Sequence, residues 1–422
     1  MWTTIATRLA TTMLLATAGT TTARAADPVT EWTLMADEIG QGAANWRSLA
    51  IMHMAMHDAW NAALPTYGRW FPPRSDEPSN SGALPQVAMA AAAHRVLLSL
   101  HPNYAAQIEQ RLQQALARTA RGPTEPAGLA LGDAIGRAAV ERRAADGYAR
   151  VHPFPVSLTP GRWRPTPADF ANSNTTQTVP FLFRNLAENP ARTPPGPADE
   201  AFRIGIAEVL RVGGVEAPDR TPAQTEAGIF WAYQSSQRGY VHLGITLLDE
   251  RPRPGGLGEH ARIMSRLTTA MADSAILTWA EKEQFSTWRP VSAIRETMLG
   301  LGGWEPLLPT PPHPEYPSGH ATDCFTGANV LEKSFPDVTG PVIYTAQTGT
   351  APEENVGMGQ HAQPNGPGIN PRRRFRSFAA AAEECANSRI WVGAHIRPAA
   401  EESRRLGAMI GARAMTTVPA LR

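Results

Sequence analysis

Three short stretches carry side chains whose types and spacing suit chemistry on a tetrahedral, phosphate-like oxyanion: Lys282 to Pro290, Pro317 to His320 and Ser388 to His395. Together they offer three fixed cations, a helix N-terminus and two imidazoles. A multiply charged oxyanion needs neutralising charge and directed donors, and Lys and Arg supply both. Lys282 and Arg289 lie seven residues apart, nearly two helical turns, so a continuous helix projects both from one face. Pro290 then kinks or restarts that helix. Lysine occurs at only two positions, 282 and 333, in a chain otherwise served by arginine, so the ammonium at Lys282 suggests a chemical requirement. A helix face carrying two solvated charges is the plainer reading of the same pair.

Pro317-Ser318-Gly319-His320 follows a proline-rich run from Pro309 and leads into a helical pattern reaching about Phe335. Ser318 stands where an N-cap would, and Gly319 lets the first turn approach an anion closely. The free N–H groups and positive dipole end of such a terminus attract an anion without further help. His320, in that first turn, is placed to pass a proton near neutral pH. Ordinary turn chemistry would also use Pro-Ser-Gly. In the third stretch, Arg389 and His395 are six residues apart and would not share a helix face, but Gly393 offers a break that folds His395 back toward Arg389. An imidazole there could serve as a nucleophile or a metal ligand.

At these residues the chain resembles the vanadium-dependent haloperoxidases and type 2 phosphatidic acid phosphatases, which share a fold and an active site. Their pattern is Lys, six residues, Arg-Pro; Pro-Ser-Gly-His; and Ser-Arg, five residues, His. Every position is matched over 282–395, and Met54-Ala55-Met56-His57-Asp58-Ala59 looks like the bacterial haloperoxidase branch. The resemblance implies that Lys282, Arg289, Ser318, Gly319 and Arg389 hold the oxyanion. It also implies that His395 bonds to vanadium or phosphorus and that His320 is the acid–base group. His313 stands where bromoperoxidases carry histidine and chloroperoxidases an aromatic residue, which marks it as a halide-site candidate and leans toward bromide or iodide. One departure concerns the Asp that the phosphatases carry four residues after the last His, because here that position is Ala399. A backbone carbonyl or a carboxylate from elsewhere must then accept the His395 proton, with Glu401 and Glu402 the nearest in sequence.

Two mechanisms fit this pattern. One is oxidation of halide with hydrogen peroxide on bound vanadate, and the other is hydrolysis of a phosphate ester by a soluble acid phosphatase through a phosphohistidine. A non-catalytic oxyanion-binding protein is a third reading, against which the intact His320 argues.

The elements that must position these groups read as all-α. Helical periodicity appears near 43–64, 83–99, 102–120, 125–146, 198–212, 220–235, 258–299, 319–335, 377–392 and 399–416. No alternating β-branched run is convincing as a strand. Long proline-rich loops fall at about 152–197, 250–257, 303–317 and 350–372. Two packed helical bundles follow, of the kind the resemblance implies. We divide the chain into a signal peptide over 1–25, an N-terminal helical half with its Pro-rich connector over 26–196, and a C-terminal half over 197–422 that carries the site. The loops of the connector could instead wrap the core.

The signal peptide rests on Arg8, the apolar run Leu9 to Ala18, and Ala23-Arg24-Ala25 ahead of a cleavage near Ala25, which implies a periplasmic or secreted protein. No later segment has the length and uninterrupted apolarity of a membrane span; Val87 to Leu100 is broken by His94 and Arg95. A formal charge of +1 argues against nucleic acid or an acidic membrane surface as partner. The chain carries no signal of a particular oligomeric state. His53 and His57, one helical turn apart and adjacent to Asp58, have a spacing that can bind a metal, but no third ligand is evident nearby and they read as structural. The run Arg372, Arg373, Arg374 and Arg376 reads as a solvated face at a helix entrance.

Cys324 and Cys385 are the only cysteines. In an oxidising compartment two cysteines usually pair. Each lies one helical turn from a motif residue, Cys324 after His320 and Cys385 before Arg389. If both motifs meet one anion, the two helices are neighbours and a Cys324–Cys385 disulfide ties them.

Overall fold

A computed structural model describes residues 27–40, 45–119, 124–150, 153–154, 156–166, 171–188, 190–232, 235–345 and 372–417. The signal peptide expected at 1–25 lies outside these residues. In chain order the helices are α1 (Pro28–Ile39), α2 (Asn45–Ala63), α3 (Pro85–Leu100), α4 (Ala105–Ala117), α5 (Glu125–Arg143), α6 (Glu200–Val212) and α7 (Pro222–Ala232). They continue as α8 (Ser236–Glu250), α9 (Gly256–Phe285), α10 (Pro290–Thr297), α11 (Gly319–Ser334), α12 (Phe378–Trp391) and α13 (Arg397–Thr417). Between α11 and α12 a two-stranded antiparallel ribbon pairs β1 (Val342–Thr345) with β2 (Arg372–Phe375), Val342 opposite Phe375.

The all-α reading holds, with one small ribbon added. A first bundle forms where α2, α3 and α5 pack together, and a second where α11 packs on α12 and α13. Helix α9 joins them: at about 1.5 Å per residue it is some 45 Å long, and it packs on α2 of one bundle and on α11 and α13 of the other. Its residues are buried almost without interruption from His260 to Thr278, as suits a helix enclosed on all sides. Of the hydroxyls this buries, Thr268 donates to Met264 O (2.8 Å) and Thr269 to Ser265 O (2.6 Å) within the helix, and Ser274 donates to Asp323 of α11 (2.6 Å). One apolar core runs through both bundles, from Val29 and Trp32 of α1 to Ile410 and Ala414 of α13.

The described part of the proline-rich connector lies on this core, strapped by buried carboxylates. Asp273 on α9 accepts from Phe181 N (2.6 Å) and Leu182 N (2.7 Å), Glu281 from Ala191 N (2.8 Å), and Glu402 on α13 from Arg192 N (3.0 Å). Asp58 does the same for Trp70 N and Phe71 N beside buried His53 and His57, which matches the structural role expected for that trio.

Three expectations about the elements are corrected. The single helix expected over 258–299 is two: Ser286 enters the left-handed region (φ 46°) and donates to Lys282 O, and Arg289 is extended ahead of Pro290, which opens α10. Proline disfavours helical geometry in the residue before it, so Lys282 and Arg289 do not share a helix face. Helices α1 and α8 stand where none was expected; Gly239, Gly244 and the β-branched residues of α8 weaken its local signal. The arginine run at 372–376 supplies β2, where Arg373 forks onto Glu384 (2.7 Å through each of Nε and Nη2). Among the described residues no helix is long and apolar enough to cross a membrane.

Cys324 on α11 and Cys385 on α12 form the expected disulfide, Cα atoms 6.5 Å apart. It closes a loop of 61 positions, for which the chain-entropy relation gives about 4 kcal/mol of stabilisation. A Cys324→Ala/Cys385→Ala double variant should therefore unfold at clearly lower denaturant concentration than the oxidised wild type. Coincident unfolding curves would show that the bond contributes nothing.

Candidate active site

The ends of four helices meet where the three stretches converge. Lys282 sits in the last turn of α9, fully buried, and spends all three ammonium donors on one loop: Pro314 O (2.6 Å), Glu315 O (3.2 Å) and Pro317 O. It therefore shapes the approach to α11 as well as placing a charge there. Arg289, the extended residue ahead of α10, is also fully buried. Its Nε donates to His313 O (2.7 Å), its Nη1 to Ala394 O (2.7 Å) and to His395 Nε2 (3.1 Å), and its Nη2 to His313 Nδ1 (2.9 Å).

Arg389 lies in the last turn of α12, which stops at Gly393 in the left-handed conformation (φ 77°) that a side chain would resist. The reversal brings Ala394 N (3.0 Å) and His395 N (3.2 Å) back onto Arg389 O, as the Gly393 break anticipates. Arg389 is 1% exposed, yet its Nε and Nη1 have no hydrogen-bond partner among the described residues.

Ser318 occupies the N-cap position of α11, but its side chain makes no capping bond. Its hydroxyl is buried without a partner among the described residues. The backbone of Ser318 is instead clamped by Ser403 of α13, whose Oγ accepts from Ser318 N and faces Ser318 O, both at 2.9 Å. Gly319 follows beneath the Trp279 ring, where an added Cβ would stand 3.2 Å from the indole. His320 is half-buried in the first turn, and its carbonyl faces Cys385 Sγ at 3.6 Å, so the disulfide lies directly behind it.

Of the acceptors left open for His395, the structure supplies a carboxylate from elsewhere in the chain, Glu315, and neither Glu401 nor Glu402. His395 Nδ1 lies 3.2 Å from Glu315 Oε1, which also accepts from Ile396 N (3.0 Å). Glu401 is exposed, and Glu402 holds Arg192 N and Arg405. The signal was present: Glu315 is the only acidic residue in the proline-rich run before Ser318, although 80 positions separate it from its partner. Trp279 is a second residue that the motifs do not mark. It lies one turn before Lys282, packs against His313 with ring centroids 5.0 Å apart and planes tilted by 45°, and donates to Ala171 O (2.9 Å).

Three buried cations thus share the site with a single buried carboxylate among the described residues. Burial draws Arg289 down to about 9 and Arg389 to about 10, so both stay charged at neutral pH, while burial and the Arg289 charge pull Lys282 well below its usual value. His395 and His313 are held well below the ordinary imidazole range by burial first and the surrounding cations second, which keeps both rings neutral. Burial raises Glu315 to about 7, against the pull of Ile396 N–H, Arg289 and Lys282. An anion seated among these groups relieves the uncompensated positive charge and gives the orphaned donors of Arg389 and Ser318 their acceptor.

Residues 262–422 match the family model of the VCPO second helical-bundle domain. Vanadium chloroperoxidase of Curvularia inaequalis is 28% identical over 378 residues, covering 67% of this chain and 59% of that protein. These matches support assignment of the chain to the vanadium haloperoxidase superfamily. The chain spans about three fifths of the length of that curated relative. The crystal structure of a bacterial vanadium-dependent iodoperoxidase superposes with a TM-score of 0.69 at 22% identity, covering 93% of this chain and 94% of that one. A holo-type bacterial vanadium-dependent chloroperoxidase gives 0.66 at 18% identity, covering 90% and 95%. These two likenesses concern the fold.

Relatives of this kind imply bound vanadate, and the residues present fit it: three buried cations, orphaned donors on Arg389 and Ser318, and an imidazole whose Nε2 faces the cationic side. Among the described residues no grouping of three or more His, Cys, Asp and Glu could hold a metal ion. Arg389→Met should weaken orthovanadate or phosphate binding, read by calorimetry, about 10- to 100-fold, the usual worth of hydrogen bonds to a charged group. The variant should not melt earlier, because it loses a buried charge whose donors are unpartnered. Undiminished anion binding would remove Arg389 from the site.

Proposed function

We propose that this chain is a vanadate-dependent haloperoxidase that oxidises bromide or iodide with hydrogen peroxide. The observation that carries the reading is the buried excess of positive charge at Lys282, Arg289 and Arg389 around the neutral imidazole of His395. Bound vanadate would supply Lewis-acid activation of peroxide with no change of its own oxidation state. The protein's share is electrostatic and protonic. Lys282, Arg289 and Arg389, all buried, hold negative charge in fixed positions, where such interactions need no reorganisation. Ser318 Oγ and the N–H groups opening α11 add neutral donors. His395 Nε2 is the ligand atom, and His320, half-buried and so open to exchange, moves protons at its ring nitrogens.

His313 fits the halide position. Its Nδ1 accepts from Arg289, which leaves the proton on Nε2, so a neutral ring offers one N–H donor beside Trp279. The leaning toward bromide or iodide rests on that histidine, and a solved iodoperoxidase shares the fold. Export through the N-terminal 1–25 segment is supported by its sequence and is consistent with the Cys324–Cys385 bond.

One observation favours a second activity, hydrolysis of phosphate esters through a phosphohistidine. Glu315 gives His395 the carboxylate that a nucleophilic imidazole uses and that Ala399 does not provide. Side-by-side assays of the purified chain, with and without orthovanadate, separate the two. Peroxide-dependent bromide or iodide oxidation should appear only on vanadate loading and should displace any esterase activity. Ester hydrolysis without halide oxidation after loading would reverse the order of the two readings.

Roles within the site can be divided as well. His395→Ala should lose tight vanadate retention, whereas His320→Ala should retain the anion and lose turnover. Equal loss of retention in both would contradict this assignment.

A further inference from the structure

Glu315 is the one carboxylate among the buried cations, and hydrogen-bond logic at His395 gives it a specific task. A guanidinium only donates, so His395 Nε2, 3.1 Å from Arg289 Nη1, must accept. The ring is therefore neutral with its proton on Nδ1, and that proton points at Glu315 Oε1, 3.2 Å away. Glu315 is itself held from several directions. Its N–H donates to Thr287 O (3.0 Å), its carbonyl accepts from Lys282 (3.2 Å), and its Oε1 accepts from Ile396 N (3.0 Å). On α13, where the related phosphatases carry an acid, this chain has buried Ala399.

We propose that Glu315 is the positioning residue of His395, fixing the tautomer that presents the Nε2 lone pair to the oxyanion and raising the basicity of that atom. The inference rests on His395 being the atom that contacts the anion. Two effects of the carboxylate have opposite signs, and this makes the role testable. Through space, its negative charge repels any oxyanion bound among the cations. Through His395, it strengthens only those anions whose central atom accepts a nitrogen ligand. Pentavalent vanadium does so, and the sulfur of sulfate does not; sulfate can be held by charge and N–H groups alone.

The experiment compares wild type, Glu315→Gln, Glu315→Asp and Glu315→Ala by calorimetric titration with orthovanadate and, separately, with sulfate. Ring nitrogen-15 NMR of His395 is recorded on the same proteins without added anion. Glu315→Gln should weaken vanadate 10- to 100-fold, the range expected when the partner of a ligating histidine is lost, while sulfate binds as well as or better than before. Glu315→Asp should recover part of the vanadate affinity. The wild-type ring should carry its proton on Nδ1, and Glu315→Ala should show a mixture of tautomers. Equal weakening of both anions would assign Glu315 a purely structural part and overturn the proposal. A wild-type ring protonated on Nε2 would overturn it as well, with no variant needing to fold. Failure of the wild type to retain vanadate while it binds sulfate would instead defeat the proposed cofactor, and the NMR result would still decide the role of Glu315.

Discussion

Placing Lys282, Arg289 and Arg389 out of water with one carboxylate between them is the constraint from which the rest of this structure follows. Each side chain is at most 1% exposed, and an ion taken from water to a protein interior costs several kcal/mol unless the surroundings supply charge or dipoles. Backbone carbonyls supply much of it here. The loop 313–317 turns four of its carbonyl oxygens, those of His313, Pro314, Glu315 and Pro317, onto Lys282 and Arg289, and Ala394 adds another. A proline-rich segment suits this task, because its imide nitrogens bring no N–H that would itself need a partner in the interior. The two cations thus order the loop that delivers Ser318 and Gly319 to the head of α11, and the loop in turn makes their burial tolerable.

The same constraint explains why helix ends, and not helix faces, build the site. Lys282 and Arg389 stand in the last turns of α9 and α12, where the negative end of the helix dipole favours a cation. Ser318 and His320 stand at the opposite, positive end of α11, which favours the anion. Terminal groups on separate elements must be held in register by something outside each helix. The disulfide ties α11 to α12 behind His320, Ser403 clamps the Ser318 backbone to α13, and α9 runs through both bundles.

Much of this is legible in the sequence because the chemistry lies in short, ordered motifs whose residue types have few substitutes. Gly393 as a break, the neighbouring cysteines, and the nearness of Arg389 to His395 all follow from local spacing. Readings that assumed a continuous helix or nearness in sequence fared less well. Lys282 and Arg289 reach one place from two helices, since Pro290 ends the geometry that a seven-residue spacing presupposes. Ser318 has the cap position without the cap bond, which leaves its hydroxyl for another acceptor. The ribbon was hidden by four arginines that mimic a solvated charge run, and α8 by glycines. Glu315 was hidden for another reason: a pairing across 80 positions is a property of packing, on which local periodicity is silent.

That long-range pairing bears on how one scaffold can serve both halide oxidation and phosphate-ester hydrolysis. A carboxylate four residues beyond the histidine would stand in the first turn of α13, just past the segment that carries His395. Glu315 instead reaches His395 from the loop that Lys282 and Arg289 order, so the orientation of the imidazole depends on the same cations that would hold the anion. Charge, donor placement and imidazole orientation are therefore coupled through five residues of chain, 313–317. A change that loosens this loop must degrade anion binding and imidazole alignment together, whereas a change at His320, on the far side of Ser318, can alter proton transfer while leaving both intact. Preorganisation of this kind suits a site whose substrate is small and supplies little binding energy of its own, because the field and the ligand atom are fixed before the anion arrives.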